Sequence, residues 1–231
     1  MMQLFAIPFS GGNAYSYFAL KKQLPANIRF TGLELPGHGN RIAEPLLYSI
    51  GEMTDDLFQQ IGFNLDNDYA LFGHSLGALL AFLLCRKIIS AGKPLPSVLF
   101  VSGQTAPSCI KSDERHLLPD QQFVEVLREM EGTPGELLSE KGFLDFYLPI
   151  IKADFQAIAN YRYQHESPVQ VPIVVLLGKQ EKIVFEDAAR WQDETTHETE
   201  FYWFDGGHFF INDHAKEICR LVEEKCLFIK T

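Results

Sequence analysis

The sequence is poor in the features that would put a chain on nucleic acid, in a membrane or in an oxidising compartment. Lysine and arginine number 20 against 30 aspartates and glutamates, a formal net charge of -10, and no basic cluster breaks that balance. A nucleic-acid groove and a polybasic membrane anchor both need clustered cations, so neither is expected. There are only four cysteines, Cys85, Cys109, Cys219 and Cys226, without metal-ligand or disulfide spacing, each in or beside an apolar segment. They read as reduced, mostly buried thiols and point to a cytoplasmic protein. The opening MMQLFAIPFSGG lacks the basic region, long apolar core and cleavage site of an export signal. No apolar run reaches membrane-spanning length free of charge. Repeats, low-complexity tracts and flexible linkers are missing too, so 1–231 reads as one domain, long enough to bury a core without metals or crosslinks.

What the chain does have is alternation. Short apolar runs at 3–8, 28–33, 69–72, 97–102, 172–177 and 200–204 are each bounded by glycine, proline or a charge and read as strands. Helical spacing covers 49–65, 76–91, 186–195 and 213–226. Strand-helix alternation predicts an α/β fold with a mainly parallel central sheet covered on both faces. The helix from Leu76 has almost no polar face before Arg86 and is expected at the centre, with Gly92 as its left-handed stop. From about 105 to 164 the alternation fails. Two amphipathic patterns, one through Phe123, Val126, Leu127 and Met130 and one from Phe143 to Ile158, flank the turn-rich EGTPGE. Such an insertion is either a cap over a site or an embellishment packed away from one, and the cap is the preferred reading.

The least polar stretch, YALFGHSLGALLAFLL, carries a histidine and a serine in its middle. Gly73-His74-Ser75-Leu76-Gly77, after a strand and before a helix, has the form of a nucleophile elbow, a strained turn that lifts one hydroxyl clear of the sheet edge. The helix starting at Leu76 aims its positive end at that point, which favours a developing oxyanion.

A serine hydroxyl needs a base. Of seven histidines, His208 in WFDGGHFF follows a strand and two glycines and comes last in the chain, as the Ser-acid-His order requires. His74 reads as packing or support; His38 in LPGHGN, on a loop after a strand, reads as a solvated loop histidine in preference to one that borders the site; His116, His165, His197 and His214 read as surface residues. The acid must hang from a loop between Ser75 and His208. Glu181, four residues beyond Leu177, ranks first; Asp187 and Glu186 are rivals, although both fall in the first turn of a predicted helix, where carboxylates commonly serve the dipole. The oxyanion hole needs the amide of Leu76 and a second from the loop in IPFSGGNAYSYF, for which Ser10 is the candidate. A phosphate-binding reading of that loop is poor, since it lacks a lysine and the GxGxxG or Walker spacing.

The blocks FAIPFSGGNAYSYFALKKQLP, LELPGHGNRIAEP, LFGHSLGALLAF, LFVSGQTAP, DFYLPIIKADFQAIANYRY and DGGHFFI together resemble the type II thioesterases of nonribosomal peptide and polyketide synthesis, over essentially the whole chain. The resemblance implies an α/β-hydrolase fold with a mobile helical lid at about 105–164. It implies hydrolysis of acyl thioesters held on the phosphopantetheine arm of acyl or peptidyl carrier proteins, with no metal or redox cofactor. In that family the acid usually sits in a Gly-x-x-Asp setting after the strand matching 172–177; here Gly178-Lys179-Gln180-Glu181 has glutamate instead. An oxygen-ester hydrolase or an acyltransferase would use the same triad on the same fold.

Overall fold

In the computed structural model the structure describes residues 1–62, 65, 68–130, 132 and 135–228. Six strands, β1 Met2–Ile7, β2 Ile28–Gly32, β3 Tyr69–His74, β4 Leu99–Ser102, β5 Ile173–Gly178 and β6 Glu200–Phe204, form one sheet in the order β2-β1-β3-β4-β5-β6. Every pairing is parallel. The strands alternate between two cores because successive side chains point to opposite faces. Tyr69 and Leu71 of β3, with Ile173, Val175 and Leu177 of β5, pack under α2 (Ile50–Ile61) and α3 (Leu76–Ser90). Ala70, Phe72, Val174 and Leu176 pack under α1 (Phe18–Gln23) and α8 (Ala215–Phe228).

Helix α3 is apolar nearly all round and buried from Leu76 through Phe82, as its sequence requires. It ends where Gly92 takes φ +62°. The chain winds from β1 outward to β2, then crosses back to β3 and on to β6. The winding reverses between β1 and β3, and open parallel sheets bind ligands in the crevice beyond the strand ends at such a reversal. The loops leaving β1 and β3, which carry Ser10 and Ser75, flank that crevice.

Between β4 and β5 there is no strand among the described residues. Helices α4 (Asp120–Glu129) and α5 (Lys141–Asn160) form a third apolar cluster, with Phe123 and Leu127 packed against Ile151 and Phe155. Two of the remaining helices depart from their periodicity, one in its extent and one in its start. The 186–195 pattern resolves into α6 (Phe185–Ala189) and a 3-10 segment, Arg190–Glu194. The 213–226 pattern begins only after α7 (Phe210–Asp213) has closed. Part of the predicted 49–65 helix and half of EGTPGE lie outside the described residues. Helix α1 carried no sequence expectation: six residues are too few to show a period. No helix among the described residues is long and apolar enough to cross a membrane, and all four cysteines are free.

Candidate active site

Strand β3 delivers Ser75 on a backbone that few residues tolerate. Its φ of 55° and ψ of -119° make it the one non-glycine residue with positive φ among those described. A conformation of that kind costs about 1–3 kcal/mol and persists only where its surroundings enforce it. Here the Ser75 amide donates to the Ser102 carbonyl at 2.8 Å, and the Ser75 carbonyl accepts from Ala78 at 2.9 Å. The flanking glycines leave no room for a side chain. A Cβ on Gly73 would lie 2.0 Å from the Gly77 carbonyl oxygen, and one on Gly77 would lie 2.1 Å from that of Ile7. The elbow therefore packs backbone on backbone, with Ser75 at the N-terminus of α3.

His208 and Glu181 reach the same edge from β6 and β5. The two loops are stitched together: Lys179 donates to the Phe204 carbonyl at 2.8 Å and Gln180 to that of Gly206 at 3.0 Å. Their closeness depends on Gly178, where a Cβ would lie 2.5 Å from the Gly207 carbonyl oxygen. Glu181 Oε1 then meets His208 Nδ1 at 2.6 Å, while Oε2 accepts the Gly178 N–H at 2.7 Å. The Glu181 side chain is only 2% exposed. With Nδ1–H donating to the carboxylate, the lone pair is left on Nε2. That atom is buried, has no hydrogen-bond partner among the described residues, and belongs to a side chain that shares a cavity wall with Ser75. No hydrogen bond joins Ser75 Oγ to Nε2 in this state; such contacts often tighten only with substrate. Of the rival acids, Glu186 is exposed, and Asp187 lines the cavity without reaching His208.

His74 is fully buried. Its Nδ1 lies 2.9 Å from Ser102 Oγ and its ring centroid 4.9 Å from that of His208. Burial first, and then the neighbouring His208, push its pKa well below the ordinary value, so it supports the second imidazole without adding charge. The amides of Ser10 and Leu76 have no acceptor among the described residues.

One expectation is overturned. His38 is not a solvated loop histidine: it is 3% exposed, with Nδ1 3.0 Å from the Pro36 carbonyl and Nε2 3.1 Å from Asp154 Oδ2. The reversal comes from α5, which covers the loop. Asp154 itself was missed. Its signal was present, a carboxylate on the apolar stripe of Ile151, Phe155 and Ile158.

Two cavities meet at Ser75 and His208. One of about 790 Å³ has a mixed border, polar at Gln104, Lys111, Arg115 and Lys182 and apolar at Val126 and Ile158. The other, about 220 Å³, is walled mostly by apolar side chains, including Leu127, Phe143, Tyr147 and Ile151. Among the described residues no group of His, Cys, Asp or Glu side chains is arranged to hold a metal ion.

A parallel sheet with a serine on its elbow, and a histidine and glutamate on the two loops beyond, defines the class: an α/β-hydrolase. The thioesterase domain family model matches residues 2–226. The gramicidin S biosynthesis protein GrsT of Aneurinibacillus migulanus is 33% identical over 220 residues, 94% of this chain and 86% of that protein. Among solved structures, ClbQ from the colibactin NRPS/PKS pathway superposes with a TM-score of 0.93 at 32% identity, over 99% of this chain and 98% of the other. The type II thioesterase BorB from the borrelidin cluster gives 0.90 at 32%, over 97% and 92%. The chain belongs to the thioesterase family, and it is a hydrolase acting on thioesters.

Proposed function

We propose that this protein is a stand-alone, type II thioesterase of nonribosomal peptide or polyketide synthesis that works in the cytoplasm, removing mis-primed or stalled acyl groups from the phosphopantetheine arm of carrier proteins. Residues 1–231 act as one α/β-hydrolase domain in which the 105–164 segment is a lid. The observation that carries the reading is the Glu181-His208 pair, whose imidazole keeps an unpartnered Nε2 and borders the same cavity as Ser75.

In the reaction, His208 Nε2 takes the Ser75 proton as Oγ attacks the thioester carbonyl carbon. The Leu76 and Ser10 amides hold the oxyanion, each worth roughly 10²–10³ in rate for donors of this kind. The C–S bond breaks, His208 returns the proton to the departing thiol, and water activated by the same nitrogen releases the acid and regenerates Ser75. Glu181 holds the ring in the required tautomer and stabilises its protonated form. No metal or redox group takes part in these steps. The acyl group suits the smaller, mainly apolar cavity, and the larger one, which carries both polar and apolar side chains, has room for the arm. Carrier proteins of this kind are acidic, as is this chain, so docking relies on local cations. Lys111 and Lys182 at the border of the larger cavity are suited to it.

The test is hydrolysis of a panel of acyl-loaded carrier proteins, read by mass, beside the oxygen ester of the same acyl group. Preference for the carrier thioester, lost together with fluorophosphonate labelling in Ser75→Ala, is the expected result. Preference for the oxygen ester would make the protein an esterase of the same fold, and activity surviving in Ser75→Ala would remove the serine mechanism.

A further inference from the structure

Asp154 lies on α5, in the inserted segment, and is 1% exposed. Its Oδ2 accepts the Gly11 N–H at 2.7 Å and faces His38 Nε2 at 3.1 Å, while its Oδ1 is buried without a partner. The other nitrogen of His38 faces the Pro36 carbonyl at 3.0 Å. Both neighbours of the ring, the Pro36 carbonyl and the Asp154 carboxylate, are acceptors, an arrangement that favours the doubly protonated imidazolium. Burial pulls its pKa down, but the hydrogen bond and charge of Asp154, with the Pro36 carbonyl and the Glu34 charge, outweigh it and leave the value raised.

A buried ion pair is seldom a device for stability, since apolar side chains of similar volume do as well. This one sits where an apolar residue would have continued the α5 stripe. What it supplies is geometry. The Gly11 N–H belongs to the peptide unit joining Ser10 to Gly11, and the Ser10 N–H to the unit before it, whose Phe9 carbonyl accepts the Gly12 N–H at 2.8 Å; gripping Gly11 therefore holds the Phe9–Gly12 turn that sets the direction of the Ser10 N–H. Gly11 has φ +72° and lies so close to α5 that a Cβ there would be 2.6 Å from Ile151 Cγ1, one helical turn from Asp154. Glu34, on the loop after β2, ties the two loops together, accepting the Ala14 amide at 3.2 Å and the Asn40 amide at 3.0 Å. His38 is held in turn by its loop, its own amide donating to Leu35 and its carbonyl accepting from Arg41.

We propose that Asp154 and His38 are positioning residues: a buried ion pair that clamps the Ser10-Gly11 turn to α5 and so aims the Ser10 amide into the oxyanion hole. The inference rests on the assignment of Ser10 as an oxyanion donor. Because α5 also walls the apolar cavity, the cover and the oxyanion amide are set by one helix.

The experiment compares Asp154→Asn, His38→Gln and Ser75→Ala in the full chain, on a soluble acyl thioester and with an acyl trifluoromethyl ketone as a transition-state mimic. A misaimed donor lowers kcat and leaves KM nearly unchanged, so Asp154→Asn is expected to lose roughly 10- to 100-fold in kcat, with mimic affinity falling by the same factor as kcat/KM. His38→Gln moves both quantities in the same direction and carries the test alone if Asp154→Asn melts below the assay temperature. A normal kcat and mimic affinity in the folded variants, or a loss confined to KM, overturns the clamp. Activity persisting in Ser75→Ala would instead overturn the serine mechanism beneath it.

Discussion

In the proposed triad, Glu181→Gln separates the orienting role of the acid from its charge, because the two side chains have the same shape. In the native site Glu181 Oε2 accepts the Gly178 N–H at 2.7 Å, and Oε1 accepts from His208 Nδ1 at 2.6 Å. A glutamine has one oxygen for these two donors. The Gly178 amide is fixed in the backbone and can only donate, so it takes the oxygen and turns the NH₂ group toward His208. The imidazole must then accept at Nδ1 and carry its proton on Nε2. That is the wrong tautomer for taking a proton from Ser75, and the negative charge that would stabilise the imidazolium is gone as well. An acid-to-amide change of this kind in a serine triad costs about 10⁴ in kcat. That corresponds to about 5.4 kcal/mol of transition-state stabilisation at 1.36 kcal/mol per tenfold. Folding stability is expected to change by less than about 1 kcal/mol, since the Gly178 hydrogen bond keeps its direction and the one to His208 survives with its direction reversed. The assay is steady-state thiol release from an acyl thioester, with a thermal melt on the same preparation. A kcat within about tenfold of wild type in a folded Glu181→Gln would refute the reasoning. So would a comparable loss in Asp187→Asn, which would move the acid to Asp187.

Two further outcomes follow from the packing. Gly77→Ala puts a methyl group 2.1 Å from the Ile7 carbonyl oxygen and 2.7 Å from that of Pro8, with backbone on both sides, so a loss of about 3 kcal/mol or more is expected in urea unfolding; an unchanged midpoint would contradict the close approach of β1 and α3. His38 has a raised pKa in the folded protein, so its contribution to stability is complete below its ordinary value of 6.5 and is lost as pH rises through the raised one. The melting temperature of wild type relative to His38→Gln should therefore exceed it most in mild acid and converge with it in alkali, and a pH-independent difference would show that the charge contributes nothing.

Much of this architecture could be read locally. The strands are short, apolar and bounded by turn residues, so their number and approximate limits follow from composition along the chain. The elbow could be read because its steric demands are met by near neighbours, Gly73 against Gly77. Glu181, Glu186 and Asp187 could be ranked but not separated, because all three lie within one short stretch. The deciding contact spans 27 positions and depends on Gly178 letting the Gly206-Gly207 backbone pass. His38 shows the same limit more sharply. In LPGHGN nothing nearby distinguishes an exposed imidazole from a buried one, and the partner that makes it an ion is 116 positions away.

By itself the sequence determined the alternating parallel architecture, the inserted helical pair and the serine on its bend, because periodicity and backbone sterics act over a few residues. Only the tertiary structure decided which carboxylate meets His208, where the two cavities join, and that Asp154 and His38 lie buried against the loop after β1. Those are contacts between distant segments. They exist only once the sheet has gathered its loops at one edge and α5 has closed over them, shutting out the water that would otherwise solvate each charge separately.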